Sequence, residues 1–219
     1  MEQLIFNLNL GEFEKLFNKM GYYKLENKNY YGSDIEQASY EKIINDKQYI
    51  INFRGTKPFK NKNTYLYATI EIYSGWKNTC DWYPAKLEFI NNKLRTVTYK
   101  INDEYIKNSD SPNRVTYNEK GEVIVQEWLN DDDQLNRFNG PALIDEQGKH
   151  YYLNGKVYNE NKYYKFINSI KDNSIIENKV IFDENAHSLI RKIAIFYNAK
   201  EVLEKINSIR IMNKLINNN

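Results

Sequence analysis

The sequence predicts an α+β protein: an N-terminal helix plus antiparallel strand meander, a central antiparallel β-hairpin repeat array, and a helical C-terminal cap. Three observations predict it. Short runs of alternating apolar residues are closed repeatedly by turn pairs such as Asn45-Asp46, Asn91-Asn92 and Asn154-Gly155, the grammar of tight hairpins. Apolar residues at helical spacing gather near the two ends of the chain. Aromatic content is 15%, dominated by 19 Tyr, which suits half-buried sheet positions better than a helical bundle.

Taken in order, Leu10, Phe13, Phe17 and Met20 lie at helical spacing, with Glu12, Glu14, Lys15 and Lys19 on the opposite face and Gly21 as the stop. Tyr22 to Tyr31 reads as an extended segment or an aromatic loop. Ser39 to Phe53 reads as two strands around Asn45-Asp46. A basic loop follows, Arg54 and then Gly55 to Asn63, holding Lys57, Lys60 and Lys62. Thr64 to Ser74 reads as a long central strand, with Leu66, Ala68, Ile70 and Ile72 on one face and Tyr65, Tyr67, Thr69, Glu71 and Tyr73 on the other. Gly75 to Tyr83 is the expected seam. The expected domains are therefore 1–83, 84–158 and 159–219.

Within the middle domain, Pro84, Pro112 and Pro141 open three hairpin cassettes, with Tyr99 and Trp128 as aromatic anchors of the first two. Beyond it, Asn159 is placed to cap a helix whose stripe is Tyr163, Phe166, Ile167 and Ile170. A strand-like run at Lys179 to Phe182 precedes a helix from about Asn185 to Tyr197, and another is expected from Lys200 to Asn217. These last helices are locally basic, with Arg191, Lys192, Lys200, Lys205, Arg210 and Lys214 against Glu201 and Glu204.

The best cassette, Arg137 to Lys156, carries Arg137, Gly140-Pro141-Ala142, Ile144, Gly148 and Tyr152-Leu153-Asn154-Gly155-Lys156. This pattern resembles the MORN-like β-hairpin repeats of YwqK-type antitoxins and of many viral and bacterial repeat proteins. The units opened by Pro84 and Pro112 match more loosely: both lack the preceding Gly, and Asn130-Asp131 stands for Asn-Gly. The resemblance covers about residues 84–160. It implies an elongated sheet serving as scaffold or binding surface, with no catalytic residues, and such repeats specify fold better than function.

Composition narrows the class. With 41% apolar residues the chain can build a core, and 31 basic against 29 acidic residues argue against wrapping nucleic acid over the whole surface. The lone Cys80 has no internal disulfide partner, and neither a signal peptide nor a bilayer-length apolar run is present, so a soluble cytoplasmic protein is expected, with no membrane partner.

Convergent catalytic groups are few. His150 lies beside a turn, His187 follows Asp183 and Glu184 at a helix entry, and Asp131-Asp132-Asp133 reads as a solvated turn rather than a calcium loop. No phosphate loop, dinucleotide fingerprint or nucleophile elbow occurs. The expectation is a non-enzyme with no cofactor and no metal. Its expected role is to occlude a macromolecular partner, as an antitoxin, an immunity protein or a phage-encoded inhibitor of a bacterial defence nuclease such as an anti-CRISPR. Candidate partner-binding residues are Arg54, Lys57, Lys60, Lys62, Tyr65, Tyr67 and Trp128. RNA binding by the loop 54–62 and the basic end is the alternative, because cations interleaved with aromatics suit single strands; an enzyme of unrecognised type is the third reading.

Overall fold

The computed structural model describes residues 8–25, 35–56, 64–74, 77–78, 84–101, 103–105, 110–172 and 184–204. Among the described residues it is α+β, a long antiparallel strand meander with a helix near the N-terminus and further helices near the C-terminus. The chain divides into two compact units, Met1–Asp133 with Ile144–Gln147, and Gln134–Leu143 with Gly148–Asn219.

The first unit opens with α1 (Leu10–Lys19). Asn9 caps it by accepting from the Glu12 N–H, Glu12 and Lys19 sit at the ends that suit their charges, and Phe13 and Phe17 are its buried residues. The helix stops because Gly21 adopts φ +85°, which aims the Gly21 N–H at Asn18 O (3.0 Å) and the Tyr22 N–H at Phe17 O (2.9 Å). That is a Schellman stop, completed by contact of the Phe17 and Tyr22 rings at 6.4 Å.

The strands that follow are β1 (Tyr23–Lys24), β2 (Ile35–Ile44), β3 (Lys47–Thr56), β4 (Tyr67–Ser74), β5 (Lys77–Asn78), β6 (Lys86–Ile90) and β7 (Lys93–Thr98). After them come β8 (Lys100–Ile101), β9 (Glu104–Tyr105), β10 (Arg114–Tyr117) and β11 (Val123–Glu127). Antiparallel neighbours run β1-β2-β3-β4-β6-β7-β10-β11, with β5 paired to β4 and β8-β9 a separate ribbon. Pairing therefore continues from β4 to β6 across position 83/84.

Turn chemistry fixes the register. Asn45 and Asp46 (φ 48° and 61°) and Asn91 and Asn92 (φ 51° and 63°) supply paired left-handed residues, the tight connection that matches strand twist. Asn tolerates that region through local hydrogen bonding of its short side chain.

One face of the sheet is apolar: Ala38, Phe53, Ile70, Leu87 and Val97 form one cross-strand row, all buried. Helix α1 covers it, with Phe13 edge-on to Phe89 at 6.2 Å and Phe17 5.0 Å from Tyr40.

The next strand, β12 (Leu143–Asp145), has Ile144 and Asp145 in the first unit, and the second unit holds β13 (Gly148–Leu153) and β14 (Lys156–Tyr158). Asn154 and Gly155 (φ 46° and 74°) turn β13 into β14. Helix α2 (Glu160–Lys171) buries Tyr163, Ile167 and Ile170 against Phe138, Tyr151 and Leu153, and α3 (Glu184–Phe196) adds Ile190, Ile193 and Ala194. Residues 200–204 are helical and Val202 joins the same core. The rest of the helix expected to Asn217 and the run Lys179 to Phe182 lie outside the described residues.

Asn159 caps α2 by accepting from the Lys162 N–H at 2.8 Å. Asn159→Ala is expected to cost about 1 kcal/mol, read as faster hydrogen exchange in the first turns of α2. Unchanged exchange there would show that the cap contributes nothing.

Candidate functional site

Strand alternation leaves the second face of the first unit's sheet polar. Its middle row passes from Gln37 through Arg54, Thr69 and Glu88 to Thr96. A parallel row runs Ser39, Asn52, Glu71, Lys86, and continues through Thr98 to Arg114 and Glu127. On the other flank Ile35, Thr56, Tyr67 and Ile90 align, and three of them are exposed hydrophobics: Ile35 37%, Tyr67 44% and Ile90 45%. A cavity of about 630 Å³ lies over β2, β3 and β4, lined by Gln37, Ser39, Asn52, Arg54, Thr69 and Glu71 among others.

The charges here are largely self-satisfied. The Tyr67 hydroxyl donates to Glu88 at 2.7 Å and the Tyr73 hydroxyl to Glu71 at 2.6 Å. Lys86 sits between those carboxylates, 3.0 Å from Glu88 and 3.7 Å from Glu71. Burial alone would push the Glu88 carboxyl up, but the Tyr67 hydroxyl and Lys86 ammonium outweigh it and hold Glu88 below the usual carboxylate value. Tyr67 in turn is pushed up to about 12 by burial and by its bond to that carboxylate. Towards β11, Arg114 grips Glu127 through two bonds of 2.6 and 2.9 Å. At the β2 flank, Glu41 accepts from the Tyr23 hydroxyl (2.5 Å) and from Gln48.

Arg54 is an exception. Exposed in the middle row, its side chain has no hydrogen bond or ion pair with any described residue.

A second constellation in the same unit pairs the Tyr105 hydroxyl with Asp133 at 2.6 Å, with Lys100 over the Tyr105 ring at 4.4 Å. Tyr105 is buried, and burial together with Asp133 pushes its phenol well above the ordinary value, so it stays protonated and serves as a structural donor.

The sequence-predicted binding residues are placed unequally. Arg54 and Tyr67 share the polar face. Tyr65 and Trp128 are interior residues, 6% and 3% exposed, and a docking partner would not reach them. Tyr65 departs from the expected alternation because β4 begins only at Tyr67. Before it, the Tyr65 N–H is tied to the Asn92 side chain (2.7 Å) and the Leu66 N–H to Thr56 O (2.8 Å), so Tyr65 turns inward and Leu66 is left 49% exposed. Lys57, Lys60 and Lys62 lie outside the described residues, as do Cys80 and the side chain of His187.

Sequence reasoning missed Gln37, Asn52, Lys86 and Glu88 as members of one face. Only cross-strand register brings them together, and the signal was the polar half of each alternating run. Asp131 to Asp133 form a turn, in which the Asn130 side chain accepts from the Asp132 N–H at 3.1 Å. Among the described residues no cluster of His, Cys, Asp and Glu suits a metal, and no helix is long and apolar enough to cross a membrane. Comparison with protein-family models, curated proteins and solved structures finds no match to this chain.

Proposed function

We propose that the chain is a binding protein that neutralises a macromolecular partner by covering it with the polar face of its β2-β3-β4-β6-β7 sheet. The observation that carries this reading is Arg54: an exposed guanidinium with no mate among the described residues, on a face whose carboxylates at 41, 71, 88 and 127 are engaged by the chain's own groups. A face of this kind offers a strong unmet charge amid Thr, Ser, Asn and Gln and beside an apolar strip, the mixture of anchor and polar surround found at protein interfaces. The likeness of residues 137–160 to antitoxin repeats supports the inhibitor version: an antitoxin, an immunity protein, or a phage-encoded inhibitor of a defence nuclease.

The test is affinity capture from the native host with wild-type chain and with Thr69→Trp, which places a bulky ring in the middle of the face while leaving the core row untouched. Wild type is expected to retain a near-stoichiometric protein that survives nuclease treatment, and Thr69→Trp to lose it with an unchanged melting curve. Equal capture by both chains would move the site elsewhere, and a nuclease-sensitive ligand would replace the protein partner with RNA.

A further inference from the structure

We infer that the segment recognised by this face is acidic and apolar by turns: part of a protein partner that sets two carboxylates about four residues apart, beside apolar side chains. The inference rests on the binding-face reading and adds the chemistry of the occupant.

It starts from a second arginine. Strand β7 bulges opposite β6, where Glu88 pairs with Thr96 and Phe89 with Leu94, so Arg95 is the extra residue and with Thr96 opposes Glu88. Arg95 is half-buried and, like Arg54, has no hydrogen bond or ion pair with any described residue. Arg54 on β3 and Arg95 on β7 thus belong to one cross-strand row, with Thr69 and Glu88 between them. Three strand steps at ~4.8 Å separate the two positions by roughly 14 Å.

That spacing discriminates between anions. A polypeptide advances ~3.3 Å per residue when extended, so carboxylates about four residues apart reach both arginines while the chain between them passes Glu88 with no charge of its own. Nucleic acid carries a charge about every 3.4 Å of each strand in a duplex, so spanning the same arginines puts phosphates over Glu88. Glu88 and Glu71 share the single ammonium of Lys86, so one negative charge on that stretch stays unmatched and repels phosphates. The strip of Ile35, Tyr67 and Ile90 alongside supplies the apolar contact, which a sugar-phosphate backbone does not match and Leu, Val or Phe side chains do.

Three probes test this against isotope-labelled full-length chain: a blocked twelve-residue peptide with glutamates four residues apart and leucines between, the same peptide with glutamine for glutamate, and a twelve-nucleotide single-stranded RNA. The glutamate peptide is expected to shift the Arg54 and Arg95 side-chain resonances together with Ile35 and Ile90. The glutamine peptide should bind roughly tenfold more weakly, and Arg54→Gln and Arg95→Gln should each cost about tenfold with unchanged melting. Equal binding of the two peptides, the same shifts produced by RNA, or no shift from any probe would overturn the inference. The captured partner separates this failure from failure of the parent reading. Loss of that partner with Thr69→Trp but not with the double Arg54→Gln, Arg95→Gln chain sinks the acidic segment alone. Capture of nothing by wild type sinks both.

Discussion

Gly55→Ala is expected to destabilise the first unit by about 3 kcal/mol, the upper end of what an overpacked core costs. An added Cβ would stand 2.4 and 2.7 Å from the Tyr65 ring and 2.8 Å from the tip of Phe53. Neither ring has room to give. The Tyr65 hydroxyl donates to Glu36 at 2.6 Å, its backbone N–H is held by Asn92, and its ring packs edge-on to Phe53 at 5.2 Å. Nor is the backbone free to withdraw, because Gly55 is paired with Glu36 on one side and Ala68 on the other. Hydrogen exchange across β2, β3 and β4 reads the effect, and a second chain with Tyr65→Leu as well should recover part of the loss, since neighbouring changes couple. Wild-type exchange in the Gly55→Ala chain would show that the glycine is incidental.

Tyr163→Phe carries the largest effect expected in the second unit. The Tyr163 hydroxyl donates to Arg137 O at 2.6 Å and accepts from the Gly140 N–H at 3.2 Å, so one buried oxygen holds the chain on both sides of the bend before Pro141. Phenylalanine keeps the ring contact with Tyr151, 5.0 Å between centroids, and strands both backbone groups. An unsatisfied buried group costs roughly 1 to 3 kcal/mol, so about 3 kcal/mol is expected for the pair. Tyr197→Phe, which releases only Phe138 O from its 2.6 Å bond, should cost about half as much. Unit-resolved hydrogen exchange is the measurement, because a chain of two units need not melt in one step. Equal losses from the two variants would contradict the double role given to Tyr163.

The strand meander was legible because its turns are chemically marked. Asn45-Asp46, Asn91-Asn92 and Asn154-Gly155 are residues that tolerate positive φ, and the runs between them alternate. Helix α1 was legible for the same reason, with Phe13 and Phe17 on one stripe and Gly21 beyond it. The candidate face was only half legible. Alternation showed that Tyr67, Thr69 and Glu71 share a side, but not that Gln37 and Arg54 stand level with Thr69, nor which side α1 would cover. Tyr65 was misread because a period of two was extended past the start of β4, where hydrogen bonds to Asn92 and Thr56 replace the ladder. Trp128 reads from the sequence as an aromatic anchor of its cassette, and a large ring serves burial as readily as docking. Arg95 gave no sign at all, since a bulge depends on how two strands pair and not on the residue inserted.

On the proposed reading, the tyrosine and lysine contacts made by the carboxylates at 71 and 88 bear on how a partner would find this molecule. With a formal net charge of +2, little field reaches far into solution, and at physiological ionic strength even that is screened beyond ~8 Å. Encounter would then be governed by ordinary diffusion and shape, at rates that change little with added salt. Selectivity would be exercised afterwards, in how long the proposed complex lasts once Arg54 and Arg95 meet the carboxylates of the partner.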